Sequence, residues 1–193
     1  MKKRLKINGI LIAIAAVLVI IFPKIFLQGR SINLSAWFIR ICGIILIILG
    51  QLLRISARGY KAENSGNGSQ LIQGGPYLVV RNPMYLGIFF IGAGLGLAVF
   101  QYWVICIFMV IFTIRYVILA FTEEKKLLGL FGDDYTRYCK KVPRFFPSFN
   151  SLFRYNIGEY LPLKSSWFYR EIGSMVAVLV AALLFSAWGI IRI

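Results

Sequence analysis

Apolar residues in this chain fall into long blocks separated by short polar or basic stretches. The blocks lie at about 7–27, 36–55, 85–100, 103–121 and 172–191. Each is roughly the 16–20 residues that span a bilayer core as a helix. The pattern predicts an all-α membrane protein of about five transmembrane helices, built as one membrane domain over 1–193. Only Gln101 and Tyr102 stand between the third and fourth blocks, so these should form a central helical hairpin. The third block holds Gly92 and Gly96 at GxxxG spacing, a pattern that permits close helix packing in lipid. After the hairpin a cytoplasmic amphipathic helical segment is expected, with Leu127, Leu128, Leu130 and Phe131 on one face. Gly132 can end that helix and Asp133 can open the next. Val142-Pro143-Arg144 and Phe146-Pro147 then break the pattern, and 148–166 has no decisive period. The polar, glycine-rich stretch Ala62–Gln73 reads as a mobile cytoplasmic loop, with a lid as the alternative.

Composition supports the membrane assignment. Of 193 residues 59% are hydrophobic and 15% charged, against roughly 25% charged in soluble domains. The net charge of +15 does not call for nucleic acid. Basic residues cluster between the apolar blocks, where the positive-inside rule and anionic lipid headgroups account for them. Lys2, Lys3, Arg4 and Lys6 place the N-terminus in the cytoplasm. A basic start and an apolar run also describe a signal peptide. Pro23-Lys24-Ile25-Phe26 follows instead of a small-residue cleavage site, so a retained span is expected. Ser35 is a candidate N-cap for the second span, and Arg40 near its outer end is expected to snorkel. Trp37, Trp103 and Trp188 should share the outer aromatic belt and Trp167 the inner one.

The absence of histidine excludes His-based metal sites, His general bases and Ser-His-Asp triads. Cys42, Cys106 and Cys139 have neither metal-site spacing nor the look of a disulfide framework, and no metal is expected. Candidate chemistry collects at the cytoplasmic end of the hairpin. Asn82-Pro83 is a helix start, with Asn at N-cap and Pro at N1. The free N–H groups of that first turn, with Arg81 beside them, suit a carboxylate or phosphate. Glu123 and Glu124 leave the membrane on the partner helix. Two crossings return the chain to one face, so the pair should meet Arg81. Adjacent residues lie about 100° apart on a helix, so one glutamate can face the pocket while the other faces solvent or a lysine. A pocket carboxylate suits ribose hydroxyls, an ammonium or a sulfonium. S-adenosylmethionine meets both halves; a nicotinamide dinucleotide also carries anionic and ribose groups. Tyr77, Tyr85, Phe121 and Tyr135 can pack an adenine, and Arg115 inside the fourth span is either snorkelling or lining the pocket.

The order Gly75-Pro76-Tyr77, Val80-Arg81-Asn82-Pro83-Met84-Tyr85, an apolar hairpin, Glu123-Glu124, Gly132-Asp133-Asp134-Tyr135, Tyr138 and Val142-Pro143-Arg144-Phe145-Phe146-Pro147 resembles the isoprenylcysteine carboxyl methyltransferases and the related phospholipid N-methyltransferases. The resemblance covers 74–147. It implies an integral membrane enzyme that takes S-adenosylmethionine from the cytosol and a lipidic or prenylated acceptor from the bilayer. The Arg-His-Pro-x-Tyr motif of that family falls on Arg81, Asn82, Pro83 and Tyr85, with asparagine replacing the histidine. Its Glu-Glu pair falls on Glu123 and Glu124. Tyr77, Arg81, Asn82, Pro83, Tyr85, Glu123, Glu124 and Tyr135 are thereby expected to hold the cofactor. Glu124, Arg144 and Arg115 are the expected catalytic residues, with a glutamate as base for an amine acceptor and an arginine orienting a carboxylate or lipid phosphate. A sterol-reductase-like enzyme using a nicotinamide dinucleotide and a non-catalytic membrane protein are the rival readings.

Overall fold

The computed structural model describes residue 14, residues 16–28 and residues 33–192. Apart from one isolated bridge between Leu27 and Phe100, regular structure among the described residues is helical. The elements are α1 (Pro23–Phe26), α2 (Leu34–Asn64), α3 (Pro83–Val99), α4 (Tyr102–Lys141), α5 (Phe149–Arg154), α6 (Ile157–Tyr160) and α7 (Ser165–Arg192). Three of these, α2, α4 and α7, are long and apolar enough to cross a membrane; α3 is a shorter apolar helix. Residues 7–13 and 15 of the expected first span lie outside the described residues, as do Lys2, Lys3, Arg4 and Lys6; 16–21 is helical. Asn33, not Ser35, occupies the N-cap of α2.

The outer faces of α4 and α7 are apolar and exposed, with Ile107, Ile111, Ile114 and Ile118 on one and Val176, Leu179, Val180 and Leu183 on the other. Such faces belong in hydrocarbon, where exposed apolar surface carries no penalty. The protein is therefore an all-helical integral membrane protein.

Glycine sets the distance between α2 and α3. Gly43 faces Gly94, and Gly50 faces Gly87, in an antiparallel register. A β-carbon at Gly94 would lie 2.5 Å from the Gly43 carbonyl oxygen, and one at Gly50 would lie 2.6 Å from that of Gly87. Lipid supplies no hydrophobic drive between helices, so close backbone approach is a principal source of cohesion. The Gly92/Gly96 pair singled out in the sequence serves a different contact. Gly92 meets Phe108 and Gly96 meets Ile105, both on α4. Their side-chain-free surface seats the second arm of the hairpin.

The hairpin tip is tied to the chain before α2. The Gln28 amide donates to the Val99 carbonyl at 2.9 Å and the Gln101 amide to that of Phe26 at 2.9 Å. Both glutamine side chains add bonds across the same join, Gln28 to the Phe100 carbonyl at 2.7 Å and Gln101 to the Leu27 carbonyl at 2.9 Å.

Trp167 is not a belt residue. It is 2% exposed and lies against Gly59, where any side chain would run into the indole ring. Its Nε1 donates to Glu63 at 2.7 Å. Two basic residues one turn apart on α2, Arg54 and Arg58, bind the buried Glu171 of α7 at 3.3 and 2.7 Å. These contacts clamp the start of α7 to the end of α2. Trp167→Ala should cost about 3 kcal/mol, the usual penalty for emptying a buried aromatic site. Trp167→Phe should cost about 1 kcal/mol, mainly the lost bond to Glu63. Thermal unfolding of the two variants in detergent measures the difference.

Candidate functional site

The second hairpin arm does not stop at the membrane. α4 covers 40 residues as two helices joined at Gly132; the first, from Tyr102 to Phe131, is about 45 Å long at 1.5 Å per residue, about half as long again as a hydrocarbon core is thick. Its last turns carry Glu123 to Phe131 past the apolar span as one continuing rod. The rod breaks at Gly132, whose φ of 49° and ψ of −120° are non-helical and suit glycine. That break turns Tyr135 and Tyr138 toward the 3-10 turn Gly75–Leu78, and the Tyr138 hydroxyl donates to the Tyr77 carbonyl at 2.8 Å.

A cavity of about 350 Å³ lies between this extension, the start of α3 and the stretch after α2. The size falls in the range of small-molecule sites. Tyr77, Arg81, Asn82, Pro83, Tyr85, Glu123 and Tyr135 all line it. Burial pushes the Tyr77 phenol up, so it stays a neutral donor. The Tyr85 hydroxyl donates to Glu123 at 3.3 Å, and Lys61 reaches the other Glu123 oxygen at 3.7 Å.

One glutamate is expected to face the pocket and the other solvent or a lysine; Glu123 lines the cavity, and Glu124, expected to bind cofactor and act in catalysis, meets neither solvent nor lysine. It is buried, takes the Arg81 guanidinium at 3.1 Å and accepts two bonds from Arg144, at 2.8 and 2.7 Å. Helix geometry explains the split, because a 100° step turns one carboxylate into the cavity and its neighbour behind the wall. The Glu124 carboxylate holds the Arg144 guanidinium in its charged form, raising its pKa. That guanidinium also lies over the Phe121 ring, 4.2 Å from its centroid. Backbone bonds complete the bracket. The Arg81 amide donates to the Pro143 carbonyl at 2.9 Å and the Tyr116 hydroxyl to that of Arg144 at 3.4 Å. Glu124 and Arg144 thus stand behind the cavity wall, while Arg115 is exposed on α4 and is not among the lining residues.

Asn82 is the N-cap residue of α3 with Pro83 at N1, yet its side chain makes no capping bond. Its Nδ2 is buried without a partner, and so is the Nε of Arg81. A polar nitrogen buried without a partner costs free energy in each case.

Sequence reasoning missed part of the wall. Ser65, Gln70, Leu71 and Ile72 line the cavity from the stretch read as a mobile loop or, alternatively, a lid, and Lys61 lines it from α2. Leu71 packs with Leu127 and Phe131 against the buried Tyr135, Tyr138 and Val142. The signal was Leu71-Ile72, an apolar pair in an otherwise polar tract, which has no reason to stay in water. Within the same tract α2 persists to Asn64 and a 3-10 turn covers Gly66–Gly68.

The sequence pattern of the phospholipid methyltransferase family matches residues 38–134, half of the chain. The chain belongs to that family. The match begins in α2, takes in α3 and α4 as far as the Gly132 break, and ends just before Tyr135. Membership implies methyltransferase chemistry in a membrane. Neither a curated protein nor a solved structure matches the chain.

Proposed function

We propose that the protein is an S-adenosylmethionine-dependent membrane methyltransferase whose cofactor site opens to the cytoplasm and whose acceptor is a lipidic or prenylated molecule drawn from the bilayer. The observation that carries this reading is the cavity wall. It brings Arg81 and Asn82, at the start of α3, to the same cavity as the Glu123 carboxylate. The donor side fits the carboxylate of the cofactor and the acidic side fits its ribose or its cationic centre. When bound, the cofactor supplies an electrophilic sulfonium methyl.

The protein's own contribution is position and exclusion of water. Arg81 and Asn82 fix one end of the ligand and Tyr77, Tyr85 and Tyr135 wall in the rest. Glu124 and Arg144 act as positioning residues that hold the Arg81 loop against α4, and Arg115 has no part in this scheme. A carboxylate acceptor, such as that of an isoprenylcysteine, needs no base. An amine acceptor, such as that of phosphatidylethanolamine, must shed a proton, and Glu123 is the carboxylate placed to accept it. The phospholipid amine is the second reading of the acceptor.

Calorimetric binding of S-adenosylmethionine and its demethylated product to the detergent-purified protein tests the proposal. Micromolar binding is expected, about tenfold weaker in Glu123→Gln, the loss of one charge-assisted contact, with thermal unfolding unchanged because Glu123 is a half-exposed wall residue. Absence of binding by the folded wild-type protein would reject the reading, and tight binding of a nicotinamide dinucleotide instead would favour a reductase.

A further inference from the structure

The stretch from Lys140 to Arg170 holds six basic residues and one acid, Glu159. It is not a solvated loop in character. Phe149 is 81% exposed, Phe153 87% and Ile157 70%. These three residues recur at four-residue intervals through α5 and α6, and Phe146 beside them is also exposed. The other side of the same stretch is packed. Leu152, Tyr155 and Tyr160 lie on Val79, Val80 and Leu86, the cluster that flanks Arg81 and Asn82. Lys140 and Lys141, just before this stretch of helices, and Arg154 within α5 are exposed.

An exposed row of large apolar side chains in a stretch with exposed lysine and arginine, immediately next to membrane-crossing helices, matches one surface. That surface is a bilayer interface with anionic headgroups, where rings enter the acyl boundary and cations meet phosphates. We propose that α5 and α6 form an interfacial anchor selective for an anionic leaflet, and that seating this anchor orders the cofactor cavity. The coupling has a path. The anchor follows directly on Pro143 and Arg144, which hold Arg81 and Glu124, and its inner face supports Val79 and Val80. The coupling rests on the cofactor reading above; the anchor does not.

The test uses the full chain in nanodiscs of phosphatidylcholine alone and of phosphatidylcholine with phosphatidylglycerol. Hydrogen exchange over 146–160 reports the anchor, and calorimetry of the demethylated cofactor product in the same discs reports the cavity. Each basic side chain near an anionic surface strengthens binding about fivefold. Protection over 146–160 should therefore rise severalfold in the anionic discs and fall again in high salt. The triple variant Lys140→Gln, Lys141→Gln, Arg154→Gln should behave in anionic discs as the wild type does in neutral ones. Phe149→Ser with Phe153→Ser should lose protection in both. Cofactor-product affinity should follow protection. Equal protection in the two discs, or protection that survives the charge substitutions, would overturn the anchor and point to a protein partner or to apolar burial alone. A shift in protection with unchanged product affinity would overturn the coupling. A shift in protection with no product binding in any disc would support the anchor and reject the cofactor reading instead.

Discussion

Glu124→Gln is expected to lower methyl transfer about a hundredfold or more and to destabilise the protein by about 3 kcal/mol, the scale of breaking a buried ion pair from one side. The carboxylate is 11% exposed, and its partners Arg81 and Arg144 are 13% and 27% exposed. Removing the charge leaves two guanidinium groups facing each other with no counter-ion. Glutamine keeps the shape but offers one oxygen where the Arg144 fork takes two. The Arg81 loop and the turn at Pro143 then lose their common tie, and the cavity wall moves. Thermal unfolding in detergent and transfer of a labelled methyl group to lipid extract measure the two effects. Arg144→Lys is the control for charge alone. Lysine restores the positive charge without the fork, so it should recover part of the stability and little of the geometry. Wild-type stability and activity in Glu124→Gln would show that the bracket is not what holds the site. Glu123→Gln separates the roles, since it should lower affinity while leaving unfolding alone.

The meeting of Arg81 with the glutamate pair could be read in advance because it follows from counting crossings. Two apolar blocks with Gln101-Tyr102 between them must return the chain to one face, and the cap Asn82-Pro83 fixes where the first arm begins. The division of labour within the pair could be read only as a choice. A 100° step says that the two side chains diverge, but which one meets the cavity depends on where α3 lies around α4. The contacts of Trp167 were hidden for a related reason. An aromatic residue at the edge of an apolar block looks the same in sequence whether it enters a headgroup layer or a groove beside glycine, and only Gly59 on a remote element decides it. The inner half of the 65–72 stretch was missed because polar composition was read as mobility, while Leu71 and Ile72 take their burial from Tyr135 and its neighbours, far along the chain.

Gly94→Leu is expected to abolish the native packing of α2 on α3, at a cost of more than about 3 kcal/mol. The obstacle is backbone. At Gly94 the new β-carbon would lie 2.5 Å from the Gly43 oxygen and 2.9 Å from the Ile47 nitrogen, neither of which can rotate away. The α2 and α3 axes must separate, and the reciprocal contact at Gly50 and Gly87 opens with them. Because α3 carries Asn82, Pro83 and Tyr85 and α2 carries Lys61, the cavity walls part as well. Gly50→Leu should act in the same way from the opposite helix. Gly129→Ala and Gly173→Ala provide the contrast. Both positions are helical, without the left-handed backbone of Gly132, and open, with nothing within 4 Å of an added β-carbon. There alanine should be neutral or stabilise by about 0.5–1 kcal/mol through helix propensity. Size-exclusion profile and thermal unfolding in detergent distinguish the two classes. A monodisperse Gly94→Leu protein with wild-type unfolding would mean that α2 and α3 are not held by their glycines, and the register of 43 with 94 and 50 with 87 would fall with it.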